Sequence, residues 1–221
     1  VSITVKQFYE YGKESLALDV VAGEAYLDNE VEEEALNRPG LALTGFFQFF
    51  AFRRIQVVGL AENAYLKSLS DRDRAKRIQD LFSRKIPCMV LTRSRHPLPE
   101  MWEAAEEYKV PLLKSPMLTN RFINSATIVV ENLMAPVARF QGTMMEIMGV
   151  GVLIEGKPGI GKSETALALI ERGHSLVSDD ITVLRKNNMG EVIGSAADLT
   201  RYHMEIRGLG IIHIPSLFGV A

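Results

Sequence analysis

Gly156-Lys157-Pro158-Gly159-Ile160-Gly161-Lys162-Ser163 is the stretch that decides how this chain is read. It fits G-x-x-x-x-G-K-[ST], the pattern of a loop that cradles phosphates between a strand and a helix. Glycines let successive backbone N–H groups curl inward around phosphate oxygens, an approach that side chains would block. A helix beginning near Ser163 points its positive end at the anion. The Lys162 ammonium adds a mobile charge for β- and γ-phosphates, and the Ser163 hydroxyl suits Mg²⁺, a hard cation that prefers oxygen. The setting agrees, with the apolar run Val150-Gly151-Val152-Leu153-Ile154 before the loop and an Ala/Leu-rich stretch after it. A plain turn between strand and helix would need neither the second glycine nor the Lys-Ser pair.

Downstream, a helix is predicted over 164–172, closed by Gly173 at the C′ position. His174 to Ser178 reads as a strand ending in Asp179-Asp180, and Asn187-Asn188-Met189-Gly190 as a turn between two further strands. Phosphoryl transfer needs a carboxylate that holds metal or takes a proton from the attacking group. In an open parallel sheet, the strand after the phosphate-loop helix ends on the same edge as the loop. Asp179 and Asp180 are therefore candidates for metal binding and base catalysis; the alternative is a capped strand end with solvated aspartates. In Met204-Glu205-Ile206-Arg207-Gly208-Leu209-Gly210, alternation sends Glu205 and Arg207 to one face. The pair suits either a metal and a phosphate or a surface ion pair, and spacing alone favours the ion pair.

Upstream, Met144, Met145, Ile147, Met148 and the residues from 150 to 154 form the apolar run that feeds the loop. Ala135-Pro136 ends a helix predicted over 120–133 and marks a linker. The boundary falls near residue 135, which divides the chain into 1–134 and 135–221. The first part alternates strands and helices. Ile55-Gln56-Val57-Val58, Cys88-Met89-Val90-Leu91 and the residues from 110 to 113 read as strands. Ser70-Asp71 caps a helix carrying Ile78, Leu81 and Phe82, and Trp102, Ala105 and Tyr108 mark one face of another. This order implies an α/β unit with parallel pairing. It carries no recognisable catalytic constellation. Arg93 and Arg95 suit an anionic effector, although exposed loop arginines are the plainer reading.

A formal charge of −2 argues against a broad nucleic-acid surface. No apolar stretch reaches the roughly 18 residues of a membrane span, and the strongest, from 41 to 52, is short and aromatic. The start shows no secretory signal, and the absent initiator Met suggests a trimmed start. The single cysteine, Cys88, lies in an apolar run and reads as a small buried hydrophobe in a protein of the reducing cytosol. His96, His174, His203 and His213 show no metal-ligand spacing, and no G-x-S-x-G nucleophile turn occurs.

Taken together, these residues resemble the HPr kinase/phosphorylase family. The resemblance is carried by the loop from 156 to 163 with Glu164-Thr165, by Arg172-Gly173-His174 and by Asp179-Asp180. It is carried also by Glu205-Ile206-Arg207-Gly208-Leu209-Gly210-Ile211-Ile212. In the amino-terminal half, Asn37-Arg38-Pro39-Gly40-Leu41-Ala42-Leu43, Arg54-Ile55-Gln56 and Val110-Pro111-Leu112-Leu113 add to it. The resemblance implies a bacterial, cytoplasmic, bifunctional enzyme. Such an enzyme phosphorylates a serine of the phosphocarrier HPr with ATP or pyrophosphate and Mg²⁺, and removes that phosphate by phosphorolysis. It implies a homohexamer, with no nucleic acid or membrane as partner, and a catalytic domain related to phosphoenolpyruvate carboxykinase, behind a regulatory amino-terminal domain. Carried over by position, Lys162 contacts phosphates and Ser163 and Glu205 hold Mg²⁺. Asp180 is the base for the kinase direction and the acid for phosphorolysis, with Asp179 beside it, and the Glu205–Arg207 segment serves both directions.

Three features depart from the family pattern. A His-Gly pair is usual shortly before the loop, and this chain has Gln141-Gly142; glutamine hydrogen-bonds but carries no proton at neutral pH. Pro158 removes one backbone donor from the loop, at an early position where a small effect is expected. The chain stops at Gly219-Val220-Ala221, before the phosphate-binding arginine and the subunit-contacting helices of the family, so a piece of a longer protein is expected. Two rival functions stand beside the enzyme: a nucleotide-gated HPr-binding protein without turnover, and another P-loop small-molecule kinase.

Overall fold

A computed structural model describes residues 2–186, 190–196, 203–206 and 210–218. The chain divides into two compact units, Val1–Met134 and Ala135–Ala221.

The first unit runs β1 (Ile3–Thr4), α1 (Val5–Gly12), β2 (Asp19–Ala22), β3 (Glu30–Val31), α2 (Gly40–Leu43), β4 (Gln56–Val58) and α3 (Leu60–Ser68). It continues with α4 (Asp71–Phe82), β5 (Met89–Leu91), α5 (Pro99–Tyr108), β6 (Leu112–Lys114) and α6 (Thr119–Met134). The helix starts are locally encoded. Thr4 and Gln7 form a capping box on α1, Ser70 accepts from the Asp73 N–H at the head of α4, and Pro99 opens α5. The sheet order is β2-β6-β5-β4, with β4, β5 and β6 parallel and β2 antiparallel at one edge. Successive strand residues serve opposite faces. Val57, Val90 and Leu113 join Phe8, Phe122, Ala126 and Val130 from α1 and α6 in one core. Val58, Met89, Leu91 and Leu112 join Leu66, Ile78, Leu81, Phe82 and Met101 from α3, α4 and α5 in another. The result is a three-layer α/β/α sandwich in which each fully buried Phe or Leu contributes roughly 1.5–3 kcal/mol. The predicted face of α5 is corrected: Met101, Ala104 and Ala105 are buried, whereas Trp102 is exposed.

The second unit runs β7 (Val137–Gln141), β8 (Thr143–Ile147), β9 (Val150–Ile154), α7 (Lys162–Ile170), β10 (Ser175–Ser178) and β11 (Ile181–Lys186). It ends with β12 (Val192–Ala196), β13 (His203–Ile206), β14 (Gly210–His213) and α8 (Ile214–Phe218). Its described sheets are β10-β8-β9, β12-β11-β7 and the hairpin β13-β14. The apolar run from 144 to 154 that feeds the loop forms a hairpin of β8 and β9. It turns at Met148 (φ 52°) and Gly149 (φ 81°), the double left-handed pair of a tight hairpin turn. One expectation is corrected: the phosphate-loop sheet is not all parallel, because β8 lies between β9 and β10 and is antiparallel to both. The strands on either side of β8 therefore run in the same direction as each other, and their carboxyl ends share one edge. Helix α7 covers this sheet, its Ala166 and Ile170 packing with Met145, Met204, Ile206 and Ile214. Gly173 (φ 89°) closes the helix as predicted, with its N–H on the Ile170 carbonyl. The predicted turn at Asn187, Asn188 and Met189 lies outside the described residues, between the paired ends Lys186 and Val192.

Candidate phosphate site and its acids

Residues 155–161 link the end of β9 to the start of α7. Gly161 has φ 102°, a conformation that side chains resist, and it swings the backbone into the helix axis so that the first N–H groups of α7 face the loop. Thr165 Oγ1 donates to the Gly161 carbonyl at 2.8 Å and braces that turn. Lys162 Nζ curls back over the loop and donates to the carbonyls of Gly156 (3.0 Å) and Lys157 (3.5 Å). A cleft of about 520 Å³ opens here, lined by Pro158, Gly159, Gly161, Lys162, Ser163, Glu164 and Glu205. Two loop glycines, the ammonium, the hydroxyl and the carboxylates of Glu164 and Glu205 thus meet in a single concavity. Ile160 sits at the exposed outer tip of the loop.

The acid pair lies at a corner. Strands β7 and β11 pair from Val137 opposite Arg185 to Gln141 opposite Ile181, and β8 and β10 pair from Met144 opposite Ser178 onward. Both chains pass from one sheet to the next at the same place, through Gln141-Gly142-Thr143 on one side and Asp179-Asp180 on the other. The Gly142 N–H donates to the Asp180 carbonyl at 2.8 Å, and buried Thr182 Oγ1 donates to the Gly142 carbonyl at 3.2 Å. Asp180 is left-handed (φ 67°), and the Ile181 N–H bonds back to the Asp179 carbonyl at 2.9 Å. That is a γ-turn around a non-glycine residue, a strained conformation held by its surroundings.

The two aspartates differ. Asp180 is exposed and takes a hydrogen bond from Gln141 Nε2 at 3.4 Å. Asp179 is 8% exposed; it accepts from Thr143 Oγ1 at 2.8 Å and from the Glu205 backbone N–H at 3.2 Å. Of the residues singled out from sequence, Gln141 and Asp180 meet, while Glu205 meets both Asp179 and the loop cleft. Arg207 lies outside the described residues. Sequence reasoning passed over Thr143 and Thr182. The available signal was a hydroxyl at a core position, since each opens or continues a strand and is buried to within 1%.

Elsewhere, His203 and His213 face each other across the β13–β14 hairpin with ring centroids 5.0 Å apart. In the first unit, Arg93 is left-handed (φ 61°) and lines a cavity of about 480 Å³ with Arg38, Leu60 and Leu118. Cys88 is fully buried, and burial pushes its thiol well above the ordinary range. No group of three or more His, Cys, Asp or Glu side chains among the described residues forms a metal cage. The oxygen donors present, Ser163 and Glu205, suit a cation such as Mg²⁺ that keeps waters and takes its other ligands from a substrate's phosphates.

Two family models cover the chain: HPr Serine kinase N terminus over residues 3–130 and HPr Serine kinase C-terminal domain over residues 132–221. The chain belongs to the HPr serine kinase family. Family relatives carry the name HPr kinase/phosphorylase. The protein from Leptospira biflexa is 44% identical over 94% of this chain and 64% of its own length. That from Caldicellulosiruptor bescii is 40% identical over 87% of this chain and 62% of its own. The Bacillus velezensis relative is 38% identical over 93% and 66% respectively. This chain therefore spans under two thirds of the length of these HPr kinase/phosphorylase relatives.

Proposed function

We propose that the chain carries the nucleotide-binding and acid–base core of an HPr kinase/phosphorylase, which moves a phosphoryl group between ATP or pyrophosphate and a serine of HPr. One observation supports the reading: β9 and β10 end on the same edge of one sheet, so the phosphate loop and the acid pair both follow strand ends on that edge, while Glu205 lines the loop cleft. The loop amides and Lys162 hold the phosphate tail, which fixes the group to be transferred in line with an incoming hydroxyl. Lys162 exchanges its loop carbonyls for phosphate oxygens as the nucleotide enters. Ser163 and Glu205 would hold Mg²⁺, which would supply positive charge against the charge developing on the transferred group.

Asp180 is the exposed acid and takes the proton from the serine hydroxyl during transfer. In the reverse direction, an oxygen of inorganic phosphate attacks the phosphorus of phosphoserine, the bond to the serine oxygen breaks, Asp180 returns the proton to that oxygen, and pyrophosphate is the product. Gln141 donates to Asp180 and orients it without exchanging protons. The same reading makes the protein a cytoplasmic homohexamer acting on a soluble carrier, with residues 1–134 as a regulatory domain. Incubating the chain with ATP, Mg²⁺ and HPr should yield phosphoserine, detected as a mass gain on HPr. Replacing Lys162 with Ala should slow that transfer by about 10²–10³-fold. Nucleotide-dependent binding of HPr without transfer would replace the enzyme with the gated binding protein. Phosphorylation of a metabolite with no response to HPr would sink the HPr assignment.

A further inference from the structure

Asp179 is the acid that the proposed reaction does not use, and both of its oxygens are already engaged. Oδ1 accepts from Thr143 Oγ1 at 2.8 Å, and Oδ2 accepts from the Glu205 backbone N–H at 3.2 Å. Thr143 is 1% exposed and Asp179 8% exposed, so the bond between them is buried, while the bond to Glu205 is partly buried. These contacts join three segments that are distant in sequence. Thr143 opens β8 and pairs with Ile154, the last residue of β9 before the phosphate loop. Asp179 follows β10, and Glu205 lies in β13, where Met204 and Ile206 point into the core and Glu205 points out to the cleft.

We infer that Thr143 and Asp179 form a buried strut that positions Glu205 against the phosphate loop, with Thr143 a positioning residue that the family pattern at Gln141-Gly142 does not cover. The physical reason is geometric. A hairpin carrying one cation ligand must be held at a set height above the loop, because Mg²⁺ tolerates little departure from octahedral geometry. Packing of Met204 and Ile206 restrains the hairpin's distance from α7 but not its slide along the surface. A charge-assisted bond from a carboxylate to one backbone N–H fixes that slide. Thr143 in turn fixes the carboxylate, through the sheet that also ends in the loop. On this arrangement only Asp180 of the acid pair is free to meet a substrate. The inference rests on the proposed function for its consequence, but not for its geometry.

Two readouts separate the strut from that function. The first is amide hydrogen exchange at Glu205, which needs no ligand. It should be protected in the unaltered chain, and T143V should speed it by about tenfold, the loss expected for a buried charge-assisted bond. T143S, which keeps the hydroxyl, should restore protection. The second is calorimetric titration with ATP in the presence and absence of Mg²⁺. T143V should weaken the Mg²⁺-dependent gain in affinity by about tenfold while Mg²⁺-free binding to the loop stays unchanged. Should T143V fail to fold, D179A serves instead, since it removes both carboxylate oxygens and with them the acceptor of the Glu205 N–H. Rapid exchange at Glu205 in the unaltered chain, or T143V indistinguishable from it, overturns the strut. If the unaltered chain shows no Mg²⁺-dependent ATP binding, the proposed function fails, and the exchange data still judge the strut.

Discussion

Glu62 shows how a single residue in the first unit is placed by opposing terms. Its side chain is 6% exposed, and burial alone would push the carboxyl up. The Arg38 guanidinium outweighs this with two bonds of 2.9 Å, and the Gly59 N–H adds a third at 2.9 Å. The carboxyl is thus held below the usual glutamate range. A group with a lowered folded pKa binds protons more readily when unfolded. Its stabilisation is therefore present above the unfolded value of about 4.3 and is lost as pH falls through the folded value. Melting temperature measured from pH 7 downward should fall steeply below about pH 4.3 in the unaltered chain. In E62Q the limb should be shallower, starting from lower stability at pH 7; parallel curves would show that Arg38 and Glu62 contribute nothing to the acid sensitivity. The same contrast of partner and burial separates Asp179 from Asp180, adjacent in sequence and unlike in surroundings.

At the scale of elements, the corner between the two sheets of the second unit does most of the positioning. Two antiparallel strand pairs bend together there, and the bend needs one residue without a side chain and one in a left-handed turn. Gly142 supplies the first: a Cβ at this position would lie 2.8 Å from the Ile154 carbonyl oxygen, in the backbone just before the phosphate loop. Backbone cannot step aside as a flexible side chain does, so G142A should cost about 1–3 kcal/mol. The expected result is a lowered melting transition of the second unit, together with weaker ATP binding because the loop's lead-in strand is displaced. Melting and ATP affinity both unchanged in G142A would show that the corner has slack.

For each unit as a whole, stability comes from its own core. In the first, two apolar clusters lie on opposite faces of one sheet, and Cys88 sits in the first cluster with no exposed surface. Its thiol is reached only when the sandwich opens, and burial holds it protonated. A thiol reagent at pH 8 should therefore leave the native chain unlabelled and react fully in denaturant, with an intermediate rate that tracks unfolding of residues 1–134. Rapid labelling under native conditions would place Cys88 outside the core.

Much of this was legible in the sequence, for a local reason. The phosphate loop, the capped helices, the glycine that closes α7 and the parallel strands of the first unit depend on residue types at short spacing, and short spacing survives without knowledge of the fold. The hairpin at Met148 was not legible, because methionine carries no turn signal and its left-handed conformation is imposed by strand pairing. Nor was the insertion of β8 between β9 and β10, since register between distant strands is decided by the completed sheet. Adjacency in the chain made Asp179 and Asp180 look alike. Only the packing of β8 and β13 around that corner buries one carboxylate among donors and leaves the other facing water.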